Sequence, residues 1–452
     1  MVTVLILGGL GLDPTRHLIS HLLSLPSTSP HRPTFVRIVD KALAIPQADA
    51  YTTYVDTDCR HHLRTAVDTG TAELVQGNLL TQATRDKAFA LPDKLANHAG
   101  SDSATTTTKG FDWVFDFSGE TDFAAPDVVH IERTLRLALL LGQSAVAHHA
   151  GVYIRTLTPF YRVEGDDKKG RVGGAGASEV GAAPWGTMAS WHHEAARGLA
   201  SIDGLNLVLM RPALLYGPHT VTGITPRCLI AEVYKFEGEK LDFLWSEHLA
   251  QHTVHARDFA AALAHAAAWA HGLGRARALE AHSEPLPTTL SSDAQLSALA
   301  SFSPAPALKD SKVRAVVFSA CDDGETTQRD IAAVIEKGVG GVKSGFHGSI
   351  ISTFAKMNMQ EVAEDVNDKH LESWSALLQA SNPPLSSTVP VSPSVPVDLL
   401  GPNPIAFDNS ALKRLTGWKP EKKLTAEGVR ETVEGFKKEG HWPNAKPRGK
   451  KK

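Results

Sequence analysis

Hydrophobic runs alternate with amphipathic stretches over the first 270 residues of the chain. Some short segments are rich in Val, Ile, Leu and aromatic residues without alternating polar residues, which predicts strands buried on both faces. In other stretches, apolar residues recur at the three- and four-residue spacing of helices. Strands that alternate with helices predict an α/β fold with a doubly wound parallel sheet. The predicted strands are Val2–Leu7, Thr34–Val39, Glu73–Gln76, Trp113–Phe117, Ala150–Arg155 and Asn206–Met210, and the helices include Thr15–Leu25, Val128–Gly142 and Trp191–Ile202.

The second half of the chain contains a long stretch of low complexity. Ser283–Ser311 is biased towards Ser, Pro and Ala, which predicts a disordered insertion. After it, Arg314–Ser319 is typical of a strand, and Thr326 or Thr327 would cap a helix that starts near Gln328. We therefore divide the chain into a first domain, an insertion, a C-terminal substrate or cap region and a basic tail: residues 1–270, 271–312, 313–445 and 446–452.

Composition narrows the class of protein. The net charge of −3 over 452 residues gives no general attraction to nucleic acid or to an anionic membrane surface. No apolar stretch approaches the roughly 20 residues that span a bilayer. The three cysteines are widely separated, which indicates a reducing compartment, and we expect the cytosol. The 21 histidines form no pattern typical of metal ligands, so we expect no metal site.

Three glycines follow the first predicted strand. Gly8, Gly9 and Gly11 would let backbone N–H groups approach a pyrophosphate at the start of the next helix. The position that usually carries the last glycine of such a loop is Pro14, and proline is acceptable in the first turn of a helix. Asp13 is predicted to be the N-cap, and its carboxylate would compete with a phosphate for the same N–H donors.

Asp40 ends the second predicted strand. An acidic residue there can accept hydrogen bonds from the adenosine ribose and would repel a 2′-phosphate, so it favours NAD over NADP. The glycines have an alternative explanation, in which a β–α–β unit needs them only for its turn.

Several further motifs appear in a fixed order. They are Gly77-Asn78-Leu79, Phe115–Gly119 with Ser118, Met210-Arg211-Pro212 followed by Tyr216-Gly217-Pro218, His252–Asp258, and Thr416–Pro420. In this order they resemble the motifs of the extended short-chain dehydrogenase/reductase superfamily, which includes NAD-dependent sugar epimerases and dehydratases.

This resemblance implies a Rossmann-type NAD-binding sheet with a smaller C-terminal α/β substrate region. It places the cofactor against Gly8, Gly9, Gly11, Asp40, Asn78, Leu79 and Ser118, and the substrate near Arg211. The implied activity is that of an epimerase, dehydratase or reductase acting on a sugar nucleotide or another small molecule with a hydroxyl or carbonyl group. A homodimer through Val128–Gly142 and Trp191–Ile202 is also implied.

The chain departs from the family at the residues that carry the reaction. The family uses a tyrosine as acid and base, a lysine four residues later that lowers the tyrosine pKa, and a Ser or Thr that binds the substrate oxygen. Trp185 stands at the tyrosine position and Ala189 at the lysine position. Thr156 and Thr158 flank the position of the missing hydroxyl.

Three interpretations of the missing pair remain open. Another residue replaces it, with His192, His193 and Tyr161 as candidates beside the less favoured Lys168 and Lys169. Alternatively, the protein binds NAD without redox turnover, as a scaffold or sensor. In the third interpretation the cofactor site itself has been lost, as Asp13 and Pro14 also suggest.

Overall fold

The computed structural model describes residues 2–92, 95, 110–163, 180–290, 295, 297, 313–348, 355, 357–386 and 388–448. Within these residues, eight strands form one sheet in the order β7-β8-β6-β5-β4-β1-β2-β3. All neighbours are parallel except β7, which is antiparallel to β8. The strands are β1 Val2–Leu7, β2 Pro33–Asp40, β3 Ala72–Gln76, β4 Trp113–Asp116, β5 Val152–Thr156, β6 Leu207–Pro212, β7 Glu284–Pro285 and β8 Arg314–Ala320.

Helices cover both faces of the sheet. Because parallel crossovers are right-handed, α1 and α2 lie on one face and α4 and α5 on the other, and α7 packs beside α1. The helices are α1 Asp13–Ser24, α2 Thr57–Asp68, α3 Gln82–Phe89, α4 Leu137–Ala147 (preceded without a break by Asp127–His130 and a π-helical turn, Ile131–Arg136), α5 Thr187–Ala200, α6 Thr225–Glu237, α7 Ala256–Leu273, α8 Arg275–Ala281, α9 Gln328–Val339, α10 Met359–Ala380, α11 Ser410–Thr416 and α12 Ala426–Lys438.

The central strands are buried on both faces, as their composition predicts. Val4, Leu5, Ile6 and Leu7 of β1 have no exposed surface. The predicted fold class is confirmed, and each predicted strand is found within one or two residues of its predicted bounds. Helix α5 begins four residues earlier than predicted, because the small and polar residues of its first turn carry no hydrophobic periodicity.

The prediction that Asp13 caps α1 is wrong. Leu12 occupies the N-cap without a side-chain hydrogen bond, and Asp13 is the first helical residue. The cap at α9 is confirmed: Thr327 accepts from the Asp330 N–H, and the Asp330 carboxylate accepts from the Thr327 N–H. The difference is that the Asp13 carboxylate has partners elsewhere in the fold, which the sequence does not show.

The C-terminal region adds to the same sheet. Strand β8 is parallel to β6, although it follows the low-complexity stretch in the chain. Four two-stranded pairs and two 3₁₀ turns complete the described elements: Leu214–Tyr216 with Thr253–His255, Leu241–Phe243 with Ser344–Phe346, Ala44–Ile45 with Ala50–Tyr51, Tyr161–Arg162 with Ala183–Pro184, and the turns Pro46–Ala48 and Val397–Leu400.

Parts of the sequence predictions fall outside the described residues. These are Lys168 and Lys169, most of Ser283–Ser311, and the last residues of the basic tail. Among the helices that are described, none is both long enough and apolar enough to cross a membrane.

Candidate functional site

The glycine loop lies at the carboxyl edge of the sheet, between β1 and α1. Gly8 and Gly9 both have φ of 70°, a conformation that side chains rarely adopt. A Cβ on Gly9 would lie 2.8 Å from Cβ of Phe117, and one on Gly8 would lie 3.2 Å from Cβ of Ser118. The two glycines therefore make the turn and let it approach the end of β4 closely.

The start of α1 carries free backbone donors. Leu12 N–H donates to the Gly9 carbonyl over 2.7 Å, but the N–H groups of Gly11 and Asp13 find no acceptor in the described part of the chain. A Cβ on Gly11 would lie only 2.2 Å from Oγ1 of Thr53, so the Thr53 hydroxyl lies against the Cα of Gly11. The loop thus offers hydrogen-bond donors to an anion, while the Thr53 side chain packs against the loop at Gly11.

The Asp13 carboxylate is neutralised within the fold. It is 2.7 Å from Nη2 of Arg16, and both side chains are fully buried. Its oxygens also accept from the N–H groups of Val221 and Thr222, each over 2.9 Å, and from the Thr222 hydroxyl. These bonds hold α1 against the loop that follows Tyr216. The competition with phosphate that the sequence predicts is therefore removed by long-range partners.

Asp40 lies beside the same loop at the end of β2. Its Oδ2 accepts from the Leu10 N–H over 2.9 Å and its Oδ1 from the Ala42 N–H over 2.7 Å. Each carboxylate oxygen keeps a second lone pair for a further donor. Asn78 accepts from the Leu80 N–H over 3.0 Å, and Leu79 is buried in the core. A small depression opens here, lined by Leu10, Ile38, Asp40, Ala42, Ala44, Leu74, Val75 and Gln76.

A buried ion pair fixes the end of β4. Arg155 of β5 pairs with Asp116 of β4, and neither side chain is exposed. Tyr153 donates to Asp116 over 2.8 Å, and burial together with the Asp116 charge raises the pKa of that tyrosine. The Ser118 N–H donates to Asp116 over 2.8 Å, and Nη2 of Arg155 donates to the Ser118 carbonyl over 3.2 Å. This network sets the path of the chain next to Gly8.

Several buried polar atoms near the ends of β4 and β5 have no hydrogen-bond partner in the described part of the chain. A buried unpaired polar atom costs about 1–3 kcal/mol, so a cluster of them calls for a ligand or ordered water. They are Oγ of Ser118, Oγ1 of Thr156, Oγ1 of Thr158, Nε1 of Trp185 and Nδ1 of His192.

The pKa values of the three titratable side chains expected at this site are shifted away from neutrality. Nε2 of His192 donates to the Glu120 carbonyl over 2.9 Å, and burial followed by the charge of Arg155 lowers the pKa of His192 to about 4. His193 is bonded to the Pro287 carbonyl, and burial lowers its pKa to about 4. Tyr161 contacts Nδ1 of His193 at 3.4 Å, and burial raises the pKa of the tyrosine. At neutral pH all three are uncharged.

The positions of the missing tyrosine and lysine form a small apolar cluster. Phe160, Met188 and Ala189 are buried together, and Phe123, Trp185 and Leu399 pack against them. The ring centroids of Phe160 and Trp185 are 4.8 Å apart. Ala189 stands at the lysine position, and its methyl side chain cannot make the ribose contact that the family assigns to lysine.

Sequence analysis missed Asp398, which lies beside this cluster. A Cβ on Gly186, just before α5, would be 2.9 Å from Oδ2 of Asp398. The Asp398 carboxylate makes no hydrogen bond or ion pair in the part of the chain described, and burial raises its pKa. No sequence motif marks it, because it enters from a distant 3₁₀ turn, Val397–Leu400.

Arg211 is held inside the protein. It is 2% exposed, its guanidinium lies 4.5 Å from the Tyr161 ring centroid and 5.6 Å from that of Phe407, and it donates to the Ser319 hydroxyl over 3.4 Å. Glu284 is 3.8 Å away. The structure therefore places Arg211 against the Tyr161 ring, among other buried side chains of the same chain.

Two other arginines on the substrate side lack a carboxylate partner among the described residues. Arg227 donates to Oε1 of Gln251 over 2.9 Å, its Nη1 is buried without a partner, and burial lowers its pKa to about 10. Gln251 donates to the Asn403 carbonyl over 3.2 Å, and Arg162 donates twice to Oδ1 of Asn403. Gln251 and Asn403 thus join two cations, neither of which is neutralised.

The chain shares its fold with several sugar-nucleotide epimerases and dehydratases of known structure, as the resemblance in sequence implies. It superposes on the UDP-glucose 4-epimerase of Thermotoga maritima with a TM-score of 0.52 at 13% identity, over 97% of this chain and 99% of that one. The dTDP-glucose 4,6-dehydratase of Streptomyces venezuelae, solved with NAD, gives 0.53 at 14% identity over 98% and 99%. A variant of the UDP-glucuronic acid 4-epimerase of Bacillus cereus, solved with NAD, gives 0.51 at 12% over 97% and 99%. No family model and no curated protein sequence matches the chain.

Proposed function

We propose that this chain binds NAD along the carboxyl edge of its sheet and does not turn the cofactor over: it is a cofactor-binding scaffold or sensor. The proposal rests on one observation, the presence of Trp185 and Ala189 where the fold's reaction needs tyrosine and lysine. An indole has no pKa that serves as acid or base, and a methyl group cannot hold a ribose.

The adenosine half of NAD fits the residues present. Asp40 has lone pairs to spare for the two ribose hydroxyls, and its charge would repel a 2′-phosphate, which favours NAD over NADP. The free N–H groups of Gly11 and Asp13 would face the pyrophosphate, with Gly8 and Gly9 allowing close approach. Asn78 and Leu79 would border the adenine, and Ser118 would border the second ribose.

At the nicotinamide end the ring would supply hydride chemistry when NAD is bound. The unpaired hydroxyls of Ser118, Thr156 and Thr158 would donate to the ribose or to a bound small molecule, and satisfying them would offset the cost of their burial. His192 is neutral and bonded to a carbonyl, so it would shape the pocket rather than move a proton.

A second candidate function is that of an NAD-dependent epimerase, dehydratase or reductase, and Asp398 is the observation that favours it. Its unpaired carboxylate has a raised pKa and lies beside Gly186, next to the position of the missing tyrosine. In this alternative Thr156 or Thr158 holds the reacting oxygen, and Asp398 moves the proton in place of Tyr161 or His192.

In both alternatives, two arginines on the proposed substrate side favour an anionic small molecule, such as a sugar nucleotide. Arg162 and Arg227 lack carboxylate partners in the described part of the chain, and a guanidinium group matches phosphate oxygens in pairs. The structural neighbours include an epimerase solved with UDP-glucose and an enzyme solved with NAD and UDP, which supports the same class of compound.

A homodimer remains part of the proposal, with α4 as its surface. Most of α5 is buried within one chain, since Arg197 donates to the Leu286 carbonyl and Glu194 accepts from Thr289 N–H. Just before α4, Val128 is 66% exposed, which leaves an apolar residue for contact with a second copy. A cytosolic location likewise stays a prediction from the sequence.

Titration of the purified protein with NADH separates the alternatives. Binding is measured by NADH fluorescence and by calorimetry with both NAD and NADH, and turnover by following NADH absorbance across a panel of carbonyl compounds and sugar nucleotides. We expect binding without turnover. Turnover that is lost in Asp398→Asn would establish the second candidate, and no heat with either form of the cofactor would contradict both.

A further inference from the structure

The segment Thr52–Thr57 crosses the glycine loop at the place where a pyrophosphate would lie. In loops of this kind the second glycine leaves room at its Cα for the pyrophosphate. Gly11 is that glycine, and the Thr53 hydroxyl occupies the room, 2.2 Å from where a Cβ would stand.

A residue near the end of the chain holds this segment in place. Glu439 follows α12, and its Oε2 accepts from the Tyr54 hydroxyl over 2.6 Å. Its Oε1 accepts from the Thr57 N–H over 2.8 Å and lies 3.3 Å from Nδ1 of His219. One carboxylate therefore joins the segment, the loop after Tyr216 and the C-terminal helix.

The charges around Glu439 favour this contact. Burial alone would raise the pKa of Glu439, but the ion pair with His219 and the hydrogen bonds from Tyr54 and Thr57 outweigh it and hold the pKa at about 2. Burial would lower the pKa of His219, yet the bond to Glu439 and the charges of Asp56 and Asp58 raise it. The pair is thus stabilised as an ion pair.

The segment Thr52–Thr57 also contacts helix α1. The Arg16 guanidinium lies 4.7 Å from the Tyr54 ring centroid, and Asp56 accepts from Nε of Arg16 over 3.0 Å. Tyr54 stacks on Phe436 of α12 with ring centroids 6.3 Å apart. The contacts of Tyr54 with α12 and Glu439 join the segment to the C-terminal helix, and Thr53 lies against Gly11.

We propose that Glu439 and the segment Thr52–Thr57 form a gate that closes the pyrophosphate position of the glycine loop and opens when a dinucleotide binds. The gate rests on the proposed function, since it regulates the same site. Its physical basis is that a ligand which binds only the open form has an apparent affinity equal to its intrinsic affinity multiplied by the fraction of molecules that are open. Weakening the gate then strengthens binding without adding any contact to the ligand.

The test compares NADH affinity in the full-length chain and three variants. Thr53→Ala removes the obstructing hydroxyl, Glu439→Ala removes the carboxylate that holds the segment, and Glu434→Gln is the control, because Glu434 pairs only with Lys437 on the exposed side of α12. We expect Thr53→Ala and Glu439→Ala to bind NADH about tenfold more tightly than the unchanged chain, and Glu434→Gln to bind equally.

A second readout does not depend on the ligand. In Glu439→Ala, amide hydrogens of Thr52–Thr57 should exchange at least tenfold faster, while those of β1 keep their protection. NADH affinity that is equal or weaker in both variants would overturn the gate but leave the proposed function standing. If neither the unchanged chain nor Thr53→Ala binds NADH, the proposed function fails and the gate fails with it.

Discussion

The two ends of the carboxyl edge of the sheet satisfy their polar groups differently. At the adenosine end, both oxygens of Asp40 accept backbone N–H groups, and Asp13 has four donors within the fold. At the end where we propose the nicotinamide to lie, five buried polar atoms have no partner in the described residues, and Arg155 and Asp116 form a fully buried ion pair.

Under the proposed function, this difference separates the groups that would bind the cofactor from those that would carry out its chemistry. The adenosine end depends on backbone geometry, on glycines and on one carboxylate, all of which remain. The nicotinamide end depends on side chains with matched pKa values, and those have been replaced by an indole, a methyl group and two uncharged histidines. The proposed function therefore requires that binding and chemistry be separable in this chain. The following predictions test the contrast, from the largest expected effect to the smallest.

The buried ion pair at the nicotinamide end should dominate stability. Asp116→Ala leaves Arg155 charged and unpaired in the core, so we expect the free energy of unfolding to fall by about 3–5 kcal/mol. Urea denaturation measures it. As control, Glu132→Ala removes an exposed partner of Arg136 and should cost about 0.5 kcal/mol or less. A loss below about 1 kcal/mol in Asp116→Ala would show that this end is not held by the pair.

His192 should make stability depend on pH below neutrality. Its pKa is about 4 in the fold and about 6.5 when unfolded, so between these values the unfolded chain binds more protons and stability falls as pH falls. His192→Gln keeps a donor for the Glu120 carbonyl but cannot titrate. Between pH 7 and pH 4, the free energy of unfolding of His192→Gln should fall by up to about 3 kcal/mol less than that of the unchanged chain.

Unfolding free energies measured across this pH range check the prediction. His248→Gln is the control, because His248 lies on the surface with its side chain 44% exposed, and it should follow the unchanged chain. Parallel curves for His192→Gln and the unchanged chain would mean that His192 is not held neutral by burial.

Asp40 should control affinity at the adenosine end. Asp40→Ala removes the acceptor for the ribose hydroxyls, and we expect NADH to bind at least tenfold more weakly, or about 1.4 kcal/mol. Fluorescence titration measures it. Asp49→Ala, at an exposed carboxylate in the same loop, should leave affinity unchanged. Equal affinity in Asp40→Ala would place the adenosine elsewhere.

The unpaired hydroxyl of Thr158 should matter least for stability. Thr158→Val replaces a buried hydroxyl that has no partner, so the free energy of unfolding should change by less than about 0.5 kcal/mol. In the matched control, Thr253→Val loses a 2.7 Å bond to Asp322 and should cost about 1–3 kcal/mol. A large loss in Thr158→Val would mean that ordered water already satisfies the hydroxyl.

Local sequence signals predicted the sheet well. Runs such as Val2–Leu7 and Arg314–Ser319 are buried strands because their composition suits burial on both faces. The cap at Thr327 was predictable because a capping box depends on residues three apart. The cap at Asp13 was predicted wrongly, since its partners Val221 and Thr222 lie far along the chain.

The candidate site could be predicted only in part. The glycine loop, Asp40, Trp185 and Ala189 carry motif positions that can be read directly. Asp398, Arg227 and Glu439 carry no motif, and each becomes notable only through its surroundings. Among the described residues, Asp398 has no partner, Arg227 has no carboxylate beside it, and Glu439 joins three segments.

The sequence by itself determined which elements form, which turns need glycine, and that the tyrosine and lysine of the fold's reaction are absent. Only the tertiary structure decided which charges are neutralised, which hydroxyls are left without partners, and that Thr53 lies over Gly11. The reason is physical: secondary structure follows from neighbours within a few residues, whereas the electrostatics and access of a site are set by side chains that meet across the whole length of the chain.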